Sequence, residues 1–268
     1  MSAEIITALL VGSLAAGWVD AVVGGGGLIL IPLILVLNPS MAPAQALATN
    51  KVAAIFGTSS AAITLSRRVP SALHALKYAP PALVGSAAGA LLAASVDKQV
   101  MRPVIIVLLV AVGVFTVARP SFGAAKSSSA GPAAASKDAE KNMPARRWVG
   151  LLALVGAIGV YDGVFGPGTG LFLIMGFVAL LGTDFIASAA RAKIINVSTN
   201  IGALITFGLQ GEVLWLLGLA LAVTNVVGAQ IGARMVLGRG TGFVRVVLLV
   251  VVVVMAGKLA LDQVGITG

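Results

Sequence analysis

Apolar and polar positions alternate along this chain on the scale of whole helices. Long apolar runs occupy residues 4–38, 43–65, 72–95 and 100–118, then 148–182, 185–207, 212–237 and 243–262, with short polar breaks between them. A helix needs about 20 residues to cross about 30 Å of hydrocarbon, and only helices and closed barrels satisfy their own backbone there. The pattern predicts an all-α integral membrane protein. Two runs break the rule. Residues 4–38 and 148–182 are too long for one span and short for two, and a glycine cluster falls near the middle of each: Gly24, Gly25, Gly26 and Gly27 in the first, Gly166, Gly168 and Gly170 around Pro167 in the second. We expect each run to form two half-length helices joined by an irregular turn at membrane depth. Each half is then a broken-helix hairpin, entering and leaving on one side, plus three transmembrane helices.

The halves repeat more than hydropathy. The stretch AGWVDAVVGGGGLILIP returns as IGVYDGVFGPGTGLFLIM. Asp20 and Asp162 stand 142 residues apart, and Lys51 and Lys193 keep the same spacing. A duplicated apolar unit with an ionisable pair and a Gly or Gly/Pro break marks a secondary transporter built from structural repeats, with its site where the breaks meet.

Composition supports the bilayer as solvent: 59% of residues are hydrophobic and 10% charged. The net charge of +9 does not point to nucleic acid, because the Lys and Arg residues lie mainly in short loops and one linker, where they set topology. From 119 to 147 the chain turns to Ala, Ser, Pro, Lys and Glu, which predicts a flexible cytoplasmic linker between a first membrane repeat at 1–118 and a second at 148–268. Arg67, Arg68 and Lys77, the linker, and Arg239 with Arg245 are expected on the cytoplasmic side; the Asp97–Arg102 connection, the Glu212 turn and Glu4 on the outside. These assignments agree only if each leading run makes no net crossing, which inverts the halves and puts both termini outside, in the periplasm of a bacterial inner membrane. The opening run is expected in the mature protein. Glu4 stands where a signal peptide has its basic region, and the run is half of a repeat. Zero Cys excludes disulfides and thiol chemistry.

A half-helix that begins in mid-membrane aims unsatisfied N–H groups and a positive dipole end at whatever fills the break. Those ends fall near Gly27–Leu28 and Thr169–Leu171, so the breaks favour an anion. Lys51 and Lys193 lie on the helices that follow. Asn196 and Asn200 succeed Lys193 at helical spacing, Asn50 precedes Lys51, and Thr58 lies two turns beyond it, so each helix has a polar stripe that avoids lipid. Two other readings stand beside substrate binding. The acids could form structural ion pairs within each half, Asp20 with Lys51 and Asp162 with Lys193, or either Asp could carry a proton. Gly85 with Gly89 and Gly228 with Gly232 form small-xxx-small pairs expected to pack helices. Arg191 is expected as a headgroup anchor or an entrance charge. No Ser–His–Asp or metal-ligand constellation is present, and no cofactor is expected.

On these residues the sequence resembles the TauE/SafE family of membrane transporters. The resemblance rests on Asp20–Gly27, on Ala-Leu-Ala-Thr-Asn-Lys at 46–51, on Tyr-Asp-Gly-x-Phe-Gly-Pro-Gly-Thr-Gly at 161–170, and on Ala-Lys-x-x-Asn-x-x-Thr-Asn at 192–200, and it covers nearly the whole chain apart from the linker. It implies export of a small anion such as sulfite, an organosulfonate or a carboxylate by alternating access, with the bilayer and that anion as partners and with proton or sodium coupling open. A passive anion channel is the alternative and an intramembrane enzyme the third reading.

Overall fold

The computed structural model describes residues 1–95 and 144–238. The predicted segments 100–118 and 243–262, the Asp97–Arg102 connection, Arg239, Arg245 and most of the linker lie outside the described residues. Within them the chain is helical: α1 (Ala3–Val23), α2 (Gly27–Leu37), α3 (Pro43–Arg68), a 3-10 segment (Pro70–Tyr78), α4 (Ala79–Ser95), α5 (Ala145–Val164), α6 (Thr169–Leu181), α7 (Phe185–Leu209) and α8 (Trp215–Gly238).

Polarity is arranged inside out. Val11, Phe56, Ile63, Val84, Leu92, Val149, Leu216 and Val223 are exposed, while Lys51, Lys193, Asp162, Asn196 and Asn200 are buried. No aqueous solvent stabilises that distribution; a hydrocarbon one does. The chain is an all-α integral membrane protein.

Both leading runs break where the glycines stand, and the second limb folds back on the first. Gly12 of α1 faces Leu33 of α2, Gly26 faces Ala16 and Asp20, and Gly176 of α6 faces Leu154 of α5. The limbs are unequal, however, which corrects the expectation of two half-length helices. The first limbs, α1 and α5, have 21 and 20 residues, and the second limbs, α2 and α6, have 11 and 13. At about 1.5 Å per residue the first limb is long enough to span and the second covers about half as much. Gly12 and Gly17 do not stop α1, because the helix ends only where the backbone turns left-handed at Gly24, φ +80°, whose N–H caps Asp20 O at 2.7 Å. The carboxylate therefore sits in the last turn before the break.

Two further boundaries move. The predicted segment 72–95 divides, its first residues joining the 3-10 segment. Pro80 and Pro81 cost least in the first turn of a new helix, so α4 starts at Ala79. Helix α5 starts at Ala145, inside the predicted linker, with Pro144 at its N-cap; the charge of Arg146 and Arg147 marks an exposed helix end rather than the end of helix. Lys77 lies over the rings of Tyr78 and Trp148 at 5.0 and 4.7 Å, and those rings are 5.1 Å apart, tying the 3-10 segment to the start of α5.

The halves interlock through glycine seams. Gly85 of α4 packs on Gly156 and Val160 of α5, and Gly89 on Val160 and Gly163; Gly228 of α8 packs on Leu14 and Trp18 of α1, and Gly232 on Trp18 and Ala21. The α1 contacts are the α5 contacts displaced by the 142-residue repeat. So the small-xxx-small pairs do pack helices, and each third helix docks on the other half's hairpin. In both seams the contacting residue numbers rise together, so α4 runs parallel to α5 and α8 parallel to α1. Removing the Cβ is what lets these backbones meet. Polar side chains add to the second seam and to its flank: Ser13 Oγ donates to Leu221 O at 2.8 Å, Asn225 Nδ2 donates to Ser13 O at 3.0 Å, and Thr64 Oγ1 donates to Gln230 Oε1 at 3.1 Å.

Candidate functional site

The two breaks touch. Gly170 N–H donates to Gly24 O at 3.2 Å, and a Cβ built on Gly24 would lie 2.5 Å from Gly170 Cα and 2.6 Å from its carbonyl carbon. The first turn of α6 is thus seated on the end of α1. Around this junction stand the four ionisable residues singled out above, but their partners are exchanged between halves. Lys51 Nζ lies 2.5 Å from Asp162 Oδ2, and Lys193 Nζ lies 2.9 Å from Asp20 Oδ2 while also donating to the Asp20 carbonyl. The expected pairs within each half, Asp20 with Lys51 and Asp162 with Lys193, do not form. The reason is the interlocked packing: α3 and α7 lie against each other, so each lysine reaches the break of the opposite half.

Each carboxylate is held at the N-terminus of its own hairpin's second limb. Asp162 Oδ1 accepts from Thr169 Oγ1 at 2.7 Å, with Gly166 O at 2.8 Å as the alternative acceptor for the same hydroxyl. Asp20 Oδ2 accepts from Thr58 Oγ1 at 3.0 Å, and Asp20 Oδ1 from Gly26 N–H at 3.5 Å. Thr58 lay on the polar stripe two turns past Lys51, so spacing could have placed it in the site. Thr169 supplies the matching hydroxyl from the break itself, so the two halves satisfy their acids differently. The side chains also differ in access: those of Lys51 and Asp162 are 2% exposed, whereas Asp20 is 14% exposed beside a Lys193 at 1%.

The glycines take several roles. Gly24, Gly166 and Gly168 adopt φ of +80°, +84° and +81°. Gly26 packs on α1, where a Cβ would meet Ala16 O at 2.7 Å, and Gly25 faces the Leu28 side chain. Gly27 has room: its Cβ would lie 3.6 Å from Pro167 Cα and 3.7 Å from Asn50 Nδ2. Several N–H groups expected to face a ligand are engaged by the backbone, those of Leu28 with Gly25 O, Ile29 with Gly26 O, Thr169 with Gly166 O and Phe172 with Gly168 O. Asn196 and Asn200 are buried on α7, and Asn196 Oδ1 accepts from Thr199 Oγ1 at 3.2 Å rather than meeting either ion pair. Tyr161, singled out only as part of a motif, donates to Pro167 O at 2.6 Å and packs edge-on against Phe172.

Arg191 corrects its expectation. It is fully buried, not at a headgroup surface, and it occupies on α7 the position that Thr49, also fully buried, has on α3. Its neighbours are mostly Ala, Ser and Ile, an apolar setting that could have signalled burial.

A helical membrane protein with two glycine-broken hairpins and a pair of crossed, buried Lys–Asp bridges at their contact is the class this geometry defines. The family described as "Sulfite exporter TauE/SafE" matches residues 9–259, and the chain belongs to it. Relatives include a "Probable membrane transporter protein ORF9" of Sinorhizobium sp., 34% identical over 97% of this chain and 94% of that protein. The "Probable membrane transporter protein YfcA" of Escherichia coli K12 is 36% identical over 94% and 88%, and a "Probable membrane transporter protein" of Haemophilus influenzae is 31% identical over 97% and 96%. No solved structure matches.

Proposed function

We propose that this protein is a secondary transporter that carries a small anion, a sulfur oxyanion, sulfonate or carboxylate, out of the cell by alternating access. The observation that carries the reading is the pair of buried lysines at the junction of the two breaks. A buried ammonium is costly in a membrane, and two of them beside the starts of two helices offer an anion a cation and a helix N-terminus at one spot once a carboxylate gives way. In a channel the lysines would line a continuous path. Purified protein in proteoliposomes loaded with unlabelled sulfite or sulfonate should take up labelled anion by saturable counterflow; uptake that never saturates and shows no counterflow would establish the channel.

Inverted halves are part of this reading. Helices α7 and α8 are joined by only residues 210–214, a connector that reverses chain direction, while α8 follows α1 and α4 follows α5. With α7 alongside α4 in the same direction, Gly202 on Leu83 and Thr206 on Ala87, these contacts support opposite directions for α1 and α5, and the loop charges then favour periplasmic termini in the bacterial inner membrane and a cytoplasmic 119–147 linker. Reporter tags fused at each end should therefore both read periplasmic, and a cytoplasmic C-terminus would overturn the arrangement.

Gly27 tests the first break without wrecking the fold. The tightest contact of a new Cβ there is Ile31 Cδ1 at 3.3 Å, a side-chain end that can yield slightly, while Pro167 Cα at 3.6 Å and Asn50 Nδ2 at 3.7 Å lie at ordinary contact distance. Gly27→Ala should express and unfold near the wild-type temperature yet bind the transported anion about tenfold more weakly, a change of about 1.4 kcal/mol. Unchanged affinity by calorimetry would move the site away from α2.

A further inference from the structure

Each of the two ion pairs at the junction is electrically complete. Two buried ammonium groups face two carboxylates, so an entering anion adds a negative charge that nothing at the junction balances, and an uncompensated charge in a low-dielectric interior is expensive. Resting on the anion-transport reading, we propose that the anion binds at the first break with a proton, which is taken up by Asp20 as the anion replaces its carboxylate at Lys193. The proton comes from water and goes to an Asp20 carboxyl oxygen, Lys193 keeps its charge, and a monovalent anion plus a proton leaves the junction's net charge unchanged.

Three observations select Asp20 over Asp162. Its side chain is 14% exposed where Asp162 is 2%, so it is the more accessible of the two. Its second oxygen is held only by the 3.5 Å contact with Gly26 N–H, whereas Asp162 Oδ1 has the Thr169 hydroxyl at 2.7 Å. Finally, Asn50 is 6% exposed with its amide toward Gly27, and it makes no hydrogen bond among the described residues. An anion at the start of α2 would supply an acceptor for that amide. Lys193, Thr58, Gly26 N–H and Asn50 then form the binding set.

The groups around Asp20 are few. Helix α7 presents Lys193, α3 presents Thr58, α2 the Gly26 N–H, and α6 meets α1 at Gly170. Helix α8 packs on α1 through Asn225, Gly228 and Gly232, none of which titrates. Lys51 and Asp162 hold each other, and Arg191 lies about 200° around α7 from Lys193.

Calorimetric binding of methanesulfonate and sulfate, which keep their charge across the range, should be measured on purified protein from about pH 8 to about pH 5. Wild-type affinity should rise by about tenfold per pH unit until Asp20 is protonated, with one proton taken up per methanesulfonate when buffers of different ionisation enthalpy are compared. Asp20→Asn should bind with the acid-limit affinity at every pH, and Asp162→Asn should keep the wild-type slope. Binding by wild type with neither slope nor proton uptake overturns the proposal while leaving anion transport intact, as does an undiminished slope in Asp20→Asn. No binding of either probe, or of sulfite and acetate added to the series, by wild type at any pH overturns the anion reading and this inference with it. The proton count comes from wild type alone, so an unfolded variant does not blunt the test.

Discussion

Gly24→Ala is expected to unfold far below the wild-type temperature, whereas Gly182→Ala stays much closer to it. Both glycines have positive φ, +80° and +65°, so both alanines carry the left-handed penalty of about 1–2 kcal/mol. They differ in what the methyl meets. At Gly182 nothing lies within 4 Å, while at Gly24 the methyl would strike Gly170 Cα at 2.5 Å and Leu171 N at 2.9 Å, all backbone. Backbone yields only if α6 lifts off α1, and overpacking of this kind costs about 1–3 kcal/mol more, out of a total stability of about 5–15 kcal/mol. Thermal unfolding in detergent and monodispersity on size exclusion measure the contrast. Equal behaviour of the two variants would mean that the breaks do not meet.

The exchanged ion pairs give the second large effect. Lys51→Met leaves Asp162 buried without its cation and should cost about 3–5 kcal/mol. Adding Asp162→Asn should recover most of that loss, because the remaining carboxamide still accepts from Thr169. Adding Asp20→Asn to Lys51→Met should recover nothing and lose more, since it strands Lys193. The mirror experiment pairs Lys193→Met with Asp20→Asn. A double-mutant cycle reads the coupling directly: strong between 51 and 162 and between 193 and 20, negligible between 51 and 20. The opposite pattern would restore pairing within each half.

Much of this was legible in the chain because repetition is a one-dimensional signal. The 142-residue register marked Asp20, Asp162, Lys51 and Lys193, and hydropathy marked the spans. Glycine clusters located both breaks, and Gly85, Gly89, Gly228 and Gly232 announced the seams on which α4 and α8 dock. What escaped was whatever depends on the halves meeting. Spacing along one helix suggests partners in the same repeat, and only the parallel docking of α4 on α5 and α8 on α1 reveals that each lysine reaches across. Limb length escaped for a different reason. A glycine cluster says where a helix must end but not how much of the bilayer has been crossed by then, and Gly12 and Gly17 serve packing rather than termination. Arg191 was misplaced because charge was weighed without its buried, small-residue neighbours.

The exchange of partners also bears on how the chain is made. The two bridges join residues 111 and 173 positions apart in sequence, so when the ribosome has delivered only the first half, Lys51 and Asp20 are already in the membrane and neither has its counter-ion. The first four helices form a unit with two unmet charges and a bare glycine seam on α1, and they complete themselves only when the second half arrives. Biogenesis is then an assembly of two mutually dependent pieces that share one polypeptide, with the last described helix, α8, closing against the first.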